Sequence, residues 1–174
     1  MGKGRETYTH IPQPHILQTE MNIFVVNLAP EKAASDLCDK HVVKMLLETA
    51  QMLCSPFEEG VAPYKRAYYN HPCTAWVRQS QVNYDWLLAH GQALCMEYTK
   101  RFRKVHKSER VIKWCLKNDE QLGLERNPWE MTPFALAMPD KYKQECPVES
   151  YRAYYKGEKM GMAEWNHGPR PSWI

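Results

Sequence analysis

The chain has 174 residues, 44% hydrophobic and 25% charged, with a net charge of +3. That is enough chain for one domain with a buried core, and the mix excludes a disordered or fibrous protein. No apolar run approaches the roughly 18 residues that span a bilayer, and the opening "MGKGRETYTHIPQPHILQTE" has no apolar stretch of signal-peptide length, so the sequence predicts a cytoplasmic protein with no membrane partner.

Residues 1–20 read as an extension: Pro12, Pro14 and polar neighbours show no periodicity. "MNIFVVNL", 21–28, is short, apolar and rich in β-formers, which predicts an extended segment entering the core. Pro30 then opens a helix, as proline does in a first turn, and the pattern carries it to about Cys54. Residues 55–72 hold Pro56, Gly60, Pro63 and Pro72 and predict a long loop, of the kind that often carries function. Tyr84, Leu87, Leu88, Leu94, Cys95, Tyr98, Phe102 and Val105 share one face of a predicted long helix from 74 to about 106. A short helix follows at 109–118. Pro128, Pro133 and Pro139 break the next stretch into loop, and Pro147 opens a last helix through 165. "NHGPRPSWI" closes the chain. The expected fold is mainly α: a helical domain over 21–165, between the extension and a tail at 166–174.

Six cysteines, at 38, 54, 73, 95, 115 and 146, form no CxxC pair. In a cytosolic chain they are expected to be reduced and buried. A zinc site of Cys38, His41, His71 and Cys73 can be drawn, but HxC is poor ligand spacing, so no metal or other cofactor is expected.

The most informative stretch is "DKHVVKMLLETAQML", 39–53. His41, Lys44, Glu48 and Gln51 recur at steps of three, four and three, which aligns an imidazole, an ammonium, a carboxylate and an amide in one helical stripe. Val42, Leu46, Ala50 and Leu53 form the opposing stripe, flanked by Val43 and Leu47. The polar stripe is either a solvated face or the wall of a site. Basic residues are also uneven: Lys100, Arg101, Arg103, Lys104 and Lys107 form a block that suits a polyanion, although cations at a helix end are favourable in any case. "YRAYYKGEK", 151–159, mixes tyrosines with Arg152, Lys156 and Lys159. The tyrosines at i, i+3 and i+4 also fit inward packing. Asn83 and His90 read as internal hydrogen-bonding groups.

These stretches resemble the pyrimidine-dimer DNA glycosylases of the phage endonuclease V type. Leu37, Asp39, His41 and Glu48 match a leucine, an Asp-x-His and a glutamate seven residues beyond. "NHPCTAWVRQSQVNYDWLLAHGQALCMEYTKRF" is similar to the family's NHP turn and long helix, and "YRAYYKGEK" to its basic, tyrosine-rich end. The resemblance implies a glycosylase with lyase activity on a damaged or modified pyrimidine in duplex DNA. In such enzymes the amine of the mature N-terminus attacks the sugar C1′, a glutamate assists, no zinc is needed, and a base opposite the lesion is extruded. It implies Glu48, His41 and an amine at Met21 as the catalytic set, with Asn70, His71, Arg78 and the basic residues above on the nucleic acid. No protein partner is implied.

The departure is at the amine. Met21 is internal here, behind twenty residues, and Asn22 is large for methionine removal. The family's start therefore corresponds to a chain beginning at Met21, to an extension that folds back, or to a different amine, of which Lys44 is the obvious one. Two other readings stay open: a nucleic-acid-binding module without chemistry, and an enzyme for a hypermodified base or free nucleotide, since "MNIFVV…DKHVVKM" is also similar to phage proteins.

Overall fold

The computed structural model describes residues 21–125 and 130–174; the extension and the loop around Pro128 lie outside them. Among the described residues there is no strand. Six α-helices follow in order: α1 Pro30–Asp36, α2 Asp39–Cys54, α3 Pro72–Val77, α4 Gln81–Phe102, α5 Glu109–Asn118 and α6 Pro147–Tyr154. The protein is a mainly α, single-domain fold. The 22-residue α4 is its axis: α1, α2, α3 and α5 all pack on it. At Gly91, α2 and α5 come so close that an added Cβ would lie 3.0 Å from Thr49 Cγ2 and 3.3 Å from Ile112 Cδ1. A side chain there would require Thr49 and Ile112 to give way by a few tenths of an ångström.

Three predicted boundaries shift. The helix expected from Pro30 to Cys54 is two helices, because Leu37 and Cys38 adopt extended backbone (ψ 145° and 162°). Distant groups satisfy the break. The Arg101 guanidinium donates to the Ser35 and Leu37 carbonyls, both at 2.8 Å, Cys38 N–H donates to the Tyr155 hydroxyl at 3.0 Å, and Asp39 N–H donates to the Glu164 carbonyl at 2.8 Å. The helix expected over 74–106 is likewise two. Ser80 leaves helical backbone and its Oγ accepts from Asn83 N–H at 3.1 Å, an N-cap that restarts the chain as α4. Arg103, at φ 56°, ends it. The last helix continues only through a π-helical turn at Tyr155–Lys159.

Residues 21–26 are buried as expected, yet they are not a strand. They lie on α2 and α6 as a coil, and Asn22 sets their shape. Its Oδ1 accepts from Ile23 N–H (2.8 Å) and Phe24 N–H (2.9 Å), and its amide donates to the Ala137 carbonyl (2.9 Å). The turn holds Phe24 at φ 55°, a conformation that costs an L-residue about 1–2 kcal/mol and collects at functional sites.

This coil explains α2. The apolar stripe Val42, Leu46, Ala50 and Leu53 is buried against the helices, and the opposite flank is buried too, beneath residues 21–26. Val43 and Leu47, which flank the apolar stripe, are 39% and 43% exposed. The helix therefore faces solvent along a narrow strip that also carries Lys40 and Lys44. Five cysteines are buried, Cys146 is exposed, and all six are free thiols.

Candidate active site

Glu48 sits where the N-terminal coil crosses α2. It is 6% exposed. One carboxylate oxygen accepts from the backbone N–H of Asn22 at 2.9 Å, and the other meets Lys44 Nζ at 3.2 Å. Burial raises the Glu48 pKa, against the opposing pull of Lys44 and the Asn22 N–H. A carboxyl held in that way keeps its proton longer than a solvated one, which suits proton donation to a leaving group. The start of α3 closes one side: burial, with the Glu48 charge adding to it, pushes the Cys73 thiol up to about 12, so it is no nucleophile.

His41 lies two turns toward the helix start and is 4% exposed. Its ring stacks on Phe24 at 4.5 Å, and its Nδ1 is 2.8 Å from the Tyr155 hydroxyl. That hydroxyl also accepts from Cys38 N–H at 3.0 Å, which ties His41 to the start of α2. Burial first, then the nearby charges of Lys159 and Lys44, lower the His41 pKa to about 3. His41 is thus neutral and not a cation for a phosphate. His90, fully buried, donates from Nδ1 to the Pro30 carbonyl (3.0 Å), and burial lowers its pKa to about 4.

Both histidines make the fold acid-sensitive. The unfolded chain protonates them near 6.5 while the folded one refuses protons down to about 3 and 4. Stability therefore rises with pH through that window and is lost as pH falls below about 6.5. At pH 5 the loss is about 2 kcal/mol per histidine. The urea midpoint should fall between pH 7 and pH 5, and the fall should shrink in His41→Gln. An unchanged fall would show that His41 is already charged in the folded state.

The remaining candidates separate. Lys159 lies 4.7 Å from the Tyr154 ring centre and 5.9 Å from that of Phe24, beside His41. Asn70 is exposed, and His71 caps α3 by accepting from Cys73 N–H at 3.2 Å. Arg78 is half-buried at the end of α3. Lys100, Arg103, Lys104, Lys107 and Lys156 are exposed. Arg101 leaves the basic track altogether: its side chain is fully buried and pairs with Asp39 (3.1 Å) and Glu97 (3.0 Å). Arg152 is also engaged internally, donating to the Val26 carbonyl at 3.0 Å and pairing with Glu149 at 3.3 Å. Tyr151, Tyr154 and Tyr155 pack inward, and Asn83 bonds to Trp76 and Thr132. Cys38, His41, His71 and Cys73 form no metal cluster; among the described residues no group of three or more His, Cys, Asp or Glu side chains is arranged to hold one.

Reasoning from sequence missed the roles of Asn22 and Phe24, and it placed Tyr155 in the basic, tyrosine-rich patch without its bond to His41. For Asn22 a signal existed, since asparagine readily bonds the backbone one or two residues on. For Phe24 the only signal was a place in an apolar run, and for Tyr155 the i, i+3, i+4 spacing that fits inward packing.

Fold and site together define a small all-helical protein whose buried carboxylate meets the N-terminal coil. Residues 21–110, more than half of the chain, match the family model of pyrimidine dimer DNA glycosylase. The chain belongs to that family, a family of DNA-repair glycosylases, which makes DNA its substrate class. The match ends before the tyrosine-rich α6. No curated protein and no solved structure matches the chain. No helix among the described residues is long and apolar enough to cross a membrane.

Proposed function

We propose that the protein is a glycosylase with lyase activity on a damaged or modified pyrimidine in duplex DNA, using an amine and Glu48. The observation that carries the reading is the 2.9 Å bond from Asn22 N–H to Glu48. In a chain beginning at Met21, the α-amine lies one residue before that nitrogen, within about 4 Å of it along the backbone. The Met21 side chain is itself part of the core, 1% exposed, which favours a terminus that keeps the methionine. An α-amine titrates at roughly 7.7–8.0, against about 10.4 for a lysine side chain, so a useful fraction is neutral at physiological pH.

The neutral amine attacks C1′ of the sugar. The glycosidic bond breaks, and the base leaves with the electron pair and takes a proton. Loss of a proton from nitrogen and opening of the sugar give an imine, from which β-elimination expels the 3′ phosphate. Glu48 stabilises positive charge building at C1′ and passes protons between these steps. His41 and Lys159 would line the same wall, with Asn70, His71 and Arg78 at its loop side and the exposed lysines on the backbone.

The test is borohydride trapping on duplex DNA carrying a cyclobutane pyrimidine dimer or an abasic site. The full chain, a chain starting at Met21, and each with Lys44→Ala are compared. A covalent adduct from the Met21 chain that survives Lys44→Ala is expected. Loss of the adduct in Lys44→Ala alone would move the nucleophile to Lys44. No adduct from any form, with DNA still bound, would sink the glycosylase–lyase reading and leave a binding module.

A further inference from the structure

Arg66 and Arg78 come from different segments, yet both guanidinium groups lie over one ring, that of Tyr69, at 4.8 and 3.6 Å from its centre. Each is fixed by one backbone carbonyl: Arg66 donates to Phe57 at 2.9 Å and Arg78 to Thr74 at 3.1 Å. Neither has a carboxylate partner among the described residues, whereas eight other cationic side chains do. Two like charges on one ring repel: burial first, and Arg66 after it, disfavour the charge on Arg78. The aromatic face holds them together at a worth of about one weak hydrogen bond each. Such a pair is short of one anion, and two planar forks suit a phosphodiester better than any other anion DNA offers. The place fits as well. Arg78 reaches toward Ser55 Oγ, 3.5 Å away, at the end of α2. Ser55 is seven residues beyond Glu48, about 10 Å along the helix at ~1.5 Å per residue. For a duplex lying along α2, that is about three nucleotide steps at ~3.4 Å of axial rise each.

We infer that Arg66 and Arg78, held on Tyr69, form a phosphate clamp that grips the DNA backbone about three nucleotides from the nucleotide at Glu48. The inference rests on the DNA-substrate reading but not on its chemistry. The clamp fixes the register of the strand and so decides which sugar meets the carboxylate. Arg66 and Tyr69 are positioning residues; they do not touch the reacting atoms.

The experiment measures equilibrium binding of the full chain to a 25-base-pair duplex with one abasic site, by fluorescence anisotropy across salt concentrations. Arg66→Gln and Arg78→Gln should each lower the slope of log K against log[salt] by about 0.9, which is a loss of about tenfold in affinity at 0.1 M salt. Tyr69→Leu should weaken binding without the full loss of slope. A neutral methylphosphonate at the third phosphate from the abasic site should weaken the wild type, and should add nothing in Arg66→Gln. Melting curves confirm that each variant is folded. Folded variants with unchanged slope and affinity would overturn the clamp. So would displacement of the duplex by millimolar thymidine 5′-monophosphate in the wild type and not in Arg66→Gln, which would make this a nucleotide site. Borohydride trapping runs beside the binding curves: trapping with unchanged slopes would overturn the clamp alone, and lowered slopes without trapping would overturn the lyase reading alone.

Discussion

Glu48→Gln is expected to lower the rate of base release and strand cleavage by roughly 10²–10⁴-fold, the usual worth of a positioned acid–base group, and to leave the fold at least as stable at pH 7. The two halves have one cause. Burial raises the Glu48 pKa, so the folded protein binds its proton more tightly than the unfolded chain does. Such a group contributes stability below its unfolded pKa, and the contribution is lost as pH rises through the folded pKa. Charge on the carboxylate therefore works against the fold. Glutamine keeps an acceptor for Asn22 N–H, 2.9 Å away, and removes the buried charge. The thermal midpoint of the variant should equal or exceed that of the wild type at pH 7, and the difference should narrow toward pH 4. Full activity in Glu48→Gln would remove Glu48 from the mechanism. A large fall in midpoint would mean that its charge is mainly structural, held by the pair with Lys44.

Arg101→Ala is expected to have the largest effect on stability, about 3–5 kcal/mol, as when one partner of a buried charge network is removed. For a chain of this size that is on the order of 10 °C in thermal midpoint. The guanidinium is fully buried, pairs with Asp39 and Glu97, and caps the Ser35 and Leu37 carbonyls where α1 breaks into α2. Asp39 then ties the tail: its other oxygen accepts from the backbone N–H groups of Asn166 (2.9 Å) and His167 (3.1 Å). Burial pushes the Asp39 carboxyl up, but the His167 bonds and the Arg101 charge outweigh it and hold the pKa below its usual value. Gly168 lies against the guanidinium so closely that a Cβ there would come within 2.5 Å of Nε. Arg101→Lys should recover little, because an ammonium cannot serve four fixed acceptors in that fork. A midpoint within about 2 °C of the wild type, with DNA affinity lost, would return Arg101 to the phosphate track.

Arg101 also marks how far the sequence could be read. In "KRFRKVHKSER" it is one of six basic residues with nothing local to set it apart. Its burial follows from α4 laying its last turn across the α1–α2 break, a contact 62 residues distant in the chain. The same limit explains the split helices. Pro30 and the periodicity do open and carry helix, but an extended Leu37–Cys38 is stable only with donors from Arg101 and acceptors from Tyr155 and residue 164. The polar stripe on α2 was legible as a stripe, because spacing on a helix is local. Whether it met water was not legible.

By itself, the sequence determined the mainly α fold, the amphipathic α2, the short α5, the long loop and the pyrimidine dimer glycosylase family, since those depend on periodicity, proline placement and local residue order. The tertiary structure alone decided which members of the stripe are buried: His41 and Glu48 are, while Lys44 stays exposed. It brought residues 21–26 onto α2, set Asn22 N–H against Glu48, and left His41 neutral under Phe24 and Tyr155. It also withdrew Arg101 from the surface and joined Arg66 to Arg78 over Tyr69. Charge state and burial are properties of what surrounds a side chain, and in a helical domain those surroundings come from elsewhere in the chain.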